Sequence, residues 1–361
     1  MIFSSYLCRK YHFSYEEKID LIMDKVRFDK DLAVRFVSDF SLPISVIDAE
    51  SFGYFLDLFE GTHSARSLWL RLWEEVDSKF GGLASAFLED YYRVRELVIQ
   101  TVSRSDAYER FNSMDMSVFS FPKVGVSSNS VYNGENIGCA FVSIDMSKAN
   151  FQALRYVDKE IVLGAGSWDE FIRKFTDSDY IAESKYFRQV VFGQMNPKRH
   201  ITVEKYIMWK VYGLVKDEIL KDGEEIVSFC NDELVCRLPC APSPVGMLRW
   251  DGVAGMVKER FGIDVKVDIF TLDAYRLKVK GSGKPMDLFY GLYHSKRDEF
   301  GGVDCWRTYK SIPSTFAAIT YKLLAGKEVE ELDTHFYYEH VNCKFTDEFE
   351  LEAVTKDMLK K

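Results

Sequence analysis

The chain lacks the positive charge expected of a protein that wraps nucleic acid: 47 Lys and Arg stand against 56 Asp and Glu, a net charge of -9 at pH 7. Phosphate contacts spread over a whole face require a basic surface, so any such contact here has to come from a local cluster. No run of about 18 apolar residues occurs, and the opening segment MIFSSYLCRKYHF has no positive n-region and only a short apolar stretch. The expectation is a soluble, cytoplasmic protein with no membrane partner. The seven cysteines include no CxxC pair, which sets aside a disulfide framework and a zinc ribbon and fits a reducing compartment. Cys236 and Cys240 are near each other in sequence, yet no Cys or His pair close by completes a zinc site. None of the six histidines lies in a nucleophile-elbow or thiol-protease context, so Ser/His/Asp and Cys/His catalysis find no support. Internal repeats and low-complexity tracts are also missing.

What the chain does have is material for a core. At 361 residues, 47% apolar and 15% aromatic, it can bury a large interior and divide into two or three domains or subdomains. From residue 14 to about 115 the helical period dominates, as in EEKIDLIMDKVRF (with Ser14 placed to cap it), SLWLRLWEEVDSKF and ASAFLEDYYRVRELVIQTV. A helical N-terminal region over 1–115 is predicted. Between 116 and 138 the Ser, Asn and Gly of SFPKVGVSSNSVYNGEN read as a linker. From Cys139 come a strand, CAFVSID, helices at SKANFQALRYV, SWDEFIRKF and TVEKYIMWKVYGLVKDEIL, and a hairpin, EEIVSFC and LVCRL, turning at Asn231 to Glu233. A helix, DGVAGMVKERFG, and a strand, VKVDIFTLDAYRLKV, follow. Strand, helices, hairpin, helix, strand is the split βαβ order of a ferredoxin-like antiparallel sheet. The predicted class is therefore α+β, with this sheet domain over 139–300 and a helical C-terminal region over 301–361, whose firmest element is a helix from Ser314 to Leu324 ended by Gly326. GSGKP at Gly281 lacks Walker spacing and opens no helix, so it reads as a hairpin turn.

Asp145 ends an apolar run. A carboxylate at a strand end faces a cleft while its backbone stays rigid, which is how a magnesium ligand has to be held. Alone, it reads better as the N-cap of SKANFQAL. Asp232 and Glu233 sit inside an otherwise apolar hairpin, where acids are costly unless they lie at the turn and meet cations. A type I′ turn built on Asn231 and Asp232 is the plain alternative. Taken together, carboxylates converging at strand ends can hold two Mg²⁺ (or Mn²⁺) ions about 4 Å apart. Lys185, Arg188, Lys198, Arg199 and His200 in SKYFRQVVFGQMNPKRH form a local basic cluster at a helix entrance, where backbone N–H groups also favour phosphate. Triphosphate binding is the functional reading and a solvated charged face the plain one. Lys148 is a second candidate for the triphosphate. Lys310 and Lys322 are candidates for a primer or template backbone, against the alternative of an amphipathic helix with lysines on its outer side.

The segment Asp145 to Phe151 resembles the first catalytic motif of reverse transcriptases, an Asp followed at the fourth position by Ala and then by an aromatic gate residue. Gly193 and Gln194 are similar to the second motif, whose Gln-containing turn supports template and incoming nucleotide. Phe229 to Leu234 resembles the third, an aromatic, any residue, then two acids in a hairpin turn. Order and approximate spacing agree over roughly residues 139 to 280. The resemblance implies a palm over 139–300, a thumb-like region over 301–361, and a template-dependent polymerase of viral or mobile-element type, working in the cytoplasm or, if viral, a viral factory. Its partners would be a nucleic-acid template and primer with nucleoside triphosphates. It implies Asp145, Asp232 and Glu233 as catalytic metal ligands, and Lys148, Asn150, Phe151, Gln194, Lys185, Arg188, Lys198 and Arg199 around the nucleotide. Two departures stand out. The hairpin reads Asn-Asp-Glu where the family has Asp-Asp, and Asn150 stands where a bulky aromatic excludes a ribose 2′-hydroxyl, which implies tolerance of ribonucleotides. A catalytically inactive palm that binds nucleic acid or serves assembly, and a template-independent nucleotidyltransferase on a similar sheet, are the alternatives.

Overall fold

The computed structural model describes residues 26–126, 131–239, 244–279, 285–297, 303–309, 312–338, 341–346 and 348–359. The helix expected after Ser14, the tip of GSGKP and Lys310 lie outside them. Helices begin where a capping side chain meets the apolar period. Asp29 caps α1 (Lys30–Asp39) by accepting from the Leu32 N–H at 2.9 Å, and Asp48 with Ser51 forms a capping box on α2 (Ala49–Leu58). The short α3 (Glu60–His63), then α4 (Ala65–Phe80), α5 (Ala84–Ser103) and α6 (Asp106–Ser113) complete the first helical stretch. Strand β1 (Ala140–Met146) leads into α7 (Ala149–Val157), α8 (Trp168–Ile172), α9 (Asp179–Glu183), α10 (Lys185–Gly193) and α11 (Pro197–Leu214), with Pro at the start of α11 where its missing N–H is harmless. The hairpin β2 (Glu225–Phe229) and β3 (Glu233–Leu238) precedes α12 (Pro244–Phe261) and the long β4 (Val265–Val279). Strands β5 (Met286–Arg297) and β6 (Val303–Tyr309), helix α13 (Ala317–Leu324), and strands β7 (His335–Tyr338), β8 (Val341–Lys344) and β9 (Phe349–Ala353) follow.

The chain forms two compact units, one within Met1–Leu88 and Pro313–Thr346, the other within Glu89–Ile312 and Asp347–Lys361. In the first, Phe36 and Phe52 meet the Trp69 ring edge-on at 5.1 and 4.9 Å between centroids, the favoured geometry for aromatic rings. Helix α13 ends as its sequence foretold: Gly326 takes φ +66, its N–H donates to the Leu323 carbonyl, and the Lys327 N–H reaches back to Lys322, a Schellman cap. The rest of the C-terminal region departs from the helical expectation. Strands β7 and β8 pair in the first unit, while β6 and β9 belong to the second. Aromatic and β-branched residues in HFYY and VNCK favour extended chain over helix.

The second unit is built on a seven-stranded sheet in the order β2-β3-β1-β4-β5-β6, with β9 pairing β4, and each pair is antiparallel. It is an α+β unit. Helix α11 packs against β3 and α12 against β4. The presumed linker is partly core: Phe119 packs on Tyr206 at 5.4 Å and Phe121 stacks on Trp209 at 5.8 Å between centroids, so aromatics in a polar stretch tie it to α11.

Candidate functional site

Register decides what the sheet presents. Asp145 on β1 lies directly opposite Glu233 on β3 and Lys266 on β4, and Ser143 lies opposite Val235 and Asp268. Directly opposed residues of antiparallel strands share a face. One face of this corner therefore carries Asp145, Ser143, Glu233, Asp268 and Lys266. The other carries Val142, Ile144, Leu234 and Cys236, all buried, under the helices. Along the polar face, Phe141, Val235, Phe270 and Leu272 are sealed with Val131 into a core cluster against which Tyr132 packs, leaving the acidic end open. There the Ser143 hydroxyl donates to Glu233 Oε1 at 2.6 Å, and Lys266 pairs with Asp268 at 2.7 Å. Burial, then the Glu233 charge, raises the Tyr132 phenol above its ordinary value, which places that ring beside the same carboxylate.

The turn after Asp145 is held from behind. Buried Gln152 donates to the carbonyls of Ser147 at 2.5 Å and Asp264 at 2.6 Å and accepts from the Asp264 N–H at 2.8 Å. Those bonds fix Lys148 at φ 54, ψ 49, a left-handed conformation that is unfavourable by about 1–2 kcal/mol for a residue with a Cβ. Lys148 is exposed and Arg188 half-buried. Partial burial, then the positive charge of Arg188, lowers the Lys148 pKa, while Asp169 and Asp264 oppose the shift. Burial lowers that of Arg188, whose guanidinium lies 5.9 Å over the Trp168 ring. Among the described residues neither cation is in an ion pair. Lys148, on which Arg188, Asp169 and Asp264 all act, is thereby a cation outside any ion pair that can meet an anion.

The acidic turn itself divides its two carboxylates. The Met146 N–H donates to the Asp232 carbonyl at 2.7 Å, setting the turn against the end of β1. Neither Asn231 nor Asp232 has a positive φ, which corrects the type I′ alternative. Glu233 is engaged by Ser143 on the open face, whereas the charge of Asp232 acts on Glu204 of α11. Glu204 is 5% exposed, and burial, followed by the Asp232 charge, pushes its carboxyl pKa up to about 7. Sequence reasoning missed it. The signal was present: Glu204 interrupts the apolar stripe His200, Val203, Ile207, Met208 and Val211 of α11, where a charged side chain needs a reason.

Several residues expected around a nucleotide have other duties. Phe151 is 1% exposed and packs against Trp168 and Phe171, so it is core and not a gate; half-buried Asn150 precedes it. The Arg199 guanidinium donates to the carbonyls of Phe111 and Met114 at the end of α6, satisfying a helix C-terminus. His200 is 1% exposed among Tyr108, Phe111 and Phe192, and burial lowers its pKa to about 4, so it is not part of a basic patch. Lys185, Gln194 and Lys198 are exposed. Lys322, in the first unit, is 6% exposed, pairs with Glu330 at 2.7 Å and Asp333 at 3.8 Å, and lies over the Tyr54 ring. It is a buried structural cation and does not lie on an outer face.

Among the described residues no three His, Cys, Asp or Glu side chains are grouped to hold an ion by themselves. Mg²⁺ rarely uses such a cage, being bound by one or two carboxylates, waters and substrate phosphates. The opposed pair Asp145 and Glu233 fits that pattern. In comparisons with known proteins, no family model and no curated protein matches this chain. Among the described residues no helix is long and apolar enough to cross a membrane.

Proposed function

We propose that the protein is a template-dependent nucleic-acid polymerase, a nucleotidyltransferase whose palm is the ferredoxin-like part of the second unit. The order β2-β3-β1-β4, antiparallel throughout, with helices between β1 and β2 and between β3 and β4, supports that palm. The observation that carries the reading is Asp145 set opposite Glu233 on the open face, three residues before the clamped Lys148 turn. Asp145 and Glu233 would hold Mg²⁺ or Mn²⁺, which when bound activates an attacking hydroxyl and neutralises a leaving pyrophosphate. Ser143 orients the Glu233 carboxylate by its hydrogen bond. Lys148 and Arg188 neutralise the triphosphate of the incoming nucleotide, and Gln152 keeps the Lys148 backbone in place while it does so. Asn150, smaller than an aromatic gate and polar, accommodates a ribose hydroxyl.

Extension of a labelled primer on RNA and DNA templates with Mg²⁺ or Mn²⁺ tests the reading. Template-directed product that Asp145→Ala and Glu233→Ala each abolish is the expected result. No product with any template, nucleotide or metal, alongside nucleic-acid binding that those substitutions leave unchanged, would move the protein to the inactive, nucleic-acid-binding palm. Product made without a template would favour the template-independent transferase.

A further inference from the structure

A net charge of -9 leaves any contact to nucleic acid to a local surface, and the outer side of α11 has the composition for one. The cations of this helix are Lys198, Arg199, Lys205 and Lys210, and its one acid, Glu204, is buried. At about 100° per residue, Lys205, Trp209 and Tyr212 fall within about 60° of arc, opposite the buried stripe of Val203, Ile207 and Val211. Lys216 carries the line into the turn Val215–Ile219, its ammonium 5.8 Å from the Tyr212 ring centroid. Lys205 and Lys216 are exposed, and among the described residues neither is in an ion pair. Three acids that follow, Glu218, Glu224 and Glu225, are each paired with an arginine, Arg260, Arg249 and Arg237, and so leave these lysines their charge. The rings form a continuous row. Phe121 stacks on Trp209 with 15° between planes, and Phe229 stands edge-on to Phe121 at 6.2 Å and to Tyr212 at 6.1 Å. All four are half-buried, whereas a ring that serves packing alone, such as Phe151, is sealed to 1%. Tying the 116–138 segment to α11 accounts for the contact of Phe121 with Trp209. It does not account for aromatic surface left in water between two unpaired lysines.

We infer that the outer face of α11, with Phe121 and Phe229, is a track for single-stranded nucleic acid, whose bases stack on the rings while its phosphates meet Lys205 and Lys216. A duplex hides its base faces, so the rings select the single strand. Phe229 ends β2 beside the acidic turn, and the track therefore borders the corner that carries Asp145 and Glu233. Naming its occupant the template rests on the polymerase reading; the binding itself does not.

Fluorescence anisotropy of a labelled oligothymidylate, titrated with the full chain over a salt series, tests the assignment. Lys205→Gln and Lys216→Gln should each lower the slope of log affinity against log salt by about 0.7. Trp209→Ala should weaken binding about 5-fold or more, while a duplex of the same length binds more weakly and does not respond to that substitution. The two lysine variants lie at exposed positions and cover the case in which Trp209→Ala fails to fold. Lys174→Gln, on the exposed turn after α8, should keep the wild-type slope; an equal loss there would reduce the effect to overall charge and overturn the inference. Wild-type affinity and slope in all three track variants overturn it, as does a duplex bound as tightly as the single strand. No binding of oligothymidylate at low salt also overturns it and leaves the face to a protein partner. Primer extension separates the levels. Extension by the wild type, with binding unchanged in the three variants, leaves the polymerase standing and removes the track. Binding lost in the variants, with no extension under any template, nucleotide or metal, leaves the track and removes the polymerase.

Discussion

His200 offers a quantitative test of how the second unit is packed. Its ring sits between Tyr108, Phe111 and Phe192, its Nε2 lies 3.4 Å from the Tyr108 hydroxyl, and its Nδ1 has no partner. Charging it in that environment is unfavourable, so its folded value falls from 6.5 to about 4. The sign follows from proton uptake. Between those values the unfolded chain binds the proton and the folded chain does not, so stability is fully present above pH 6.5 and is lost as pH falls towards 4. At about 1.4 kcal/mol per pH unit the loss approaches about 3 kcal/mol. Glu204, with a raised pKa of about 7, acts oppositely: its burial as the neutral acid favours the fold at low pH and is lost as pH rises from 4.5 to 7. The wild-type curve alone therefore mixes the two. His200→Leu isolates the histidine. At pH 7.5 it should be less stable by about 1 kcal/mol, through loss of the contact to Tyr108. Near pH 4 it should be the more stable protein, the difference having moved by about 3 kcal/mol, or roughly 6–12 °C in melting temperature for a unit of this size. Urea unfolding followed by tryptophan fluorescence at a series of pH values measures this. Curves for the two proteins that stay parallel from pH 7.5 to 4, within about 0.5 kcal/mol, would refute a buried neutral histidine.

Three further outcomes follow from the same placement of charges. Arg199→Ala removes a cation from the Phe111 and Met114 carbonyls and should lower unfolding free energy by about 1.5–3 kcal/mol, with nucleotide affinity by calorimetry unchanged; a weakened nucleotide with normal stability would restore the triphosphate role. Lys322→Met leaves Asp333 buried without its cation and should destabilise by about 3–5 kcal/mol, whereas a loss confined to nucleic-acid affinity would reverse that assignment. Lys148→Ala should leave stability within about 0.5 kcal/mol and weaken nucleoside triphosphate binding about 10-fold or more, the equivalent of one charge-assisted hydrogen bond; unaltered affinity would remove Lys148 from the anion site.

Strands and helices were legible where periodicity and capping agree. VKVDIFTLDAYRLKV alternates and is β4 over its full length, and α11 begins at a proline and extends along its apolar stripe. The departures share a cause: nearness in sequence is not nearness in space on a helix, where position around the axis decides the environment. Lys198, Arg199 and His200 look like one basic cluster, yet a turn of about 100° per residue sends Lys198 to solvent and His200 inward to the stripe of Val203, Ile207 and Val211. Lys322 likewise follows Ala318 and Ile319 to the buried side of α13. Glu204 is visible by the same rule, as a charged side chain within the apolar stripe of α11. The division into units was less legible. Pairing Pro313–Thr346 with the N-terminal helices depends on contacts far apart in sequence, such as Tyr54 hydroxyl to Asp333 at 2.6 Å, which no local pattern announces.

The Asn-Asp-Glu turn is where sequence and structure bear on each other most directly. By motif alone, Asp232 is either the first acid of a pair or the second, with Asn231 replacing its partner. Extended chain sends successive side chains to opposite faces, and β1 and β3 are in a register that sets Glu233 across from Asp145. A slip of one residue would carry Glu233 under the helices and bring the Asp232 position onto the open face. Such a slip is opposed because it would carry the half-buried Arg237 under the helices, in place of side chains as fully buried there as Leu234 and Cys236. The hydrophobic pattern of β3 therefore selects Glu233 as the partner of Asp145.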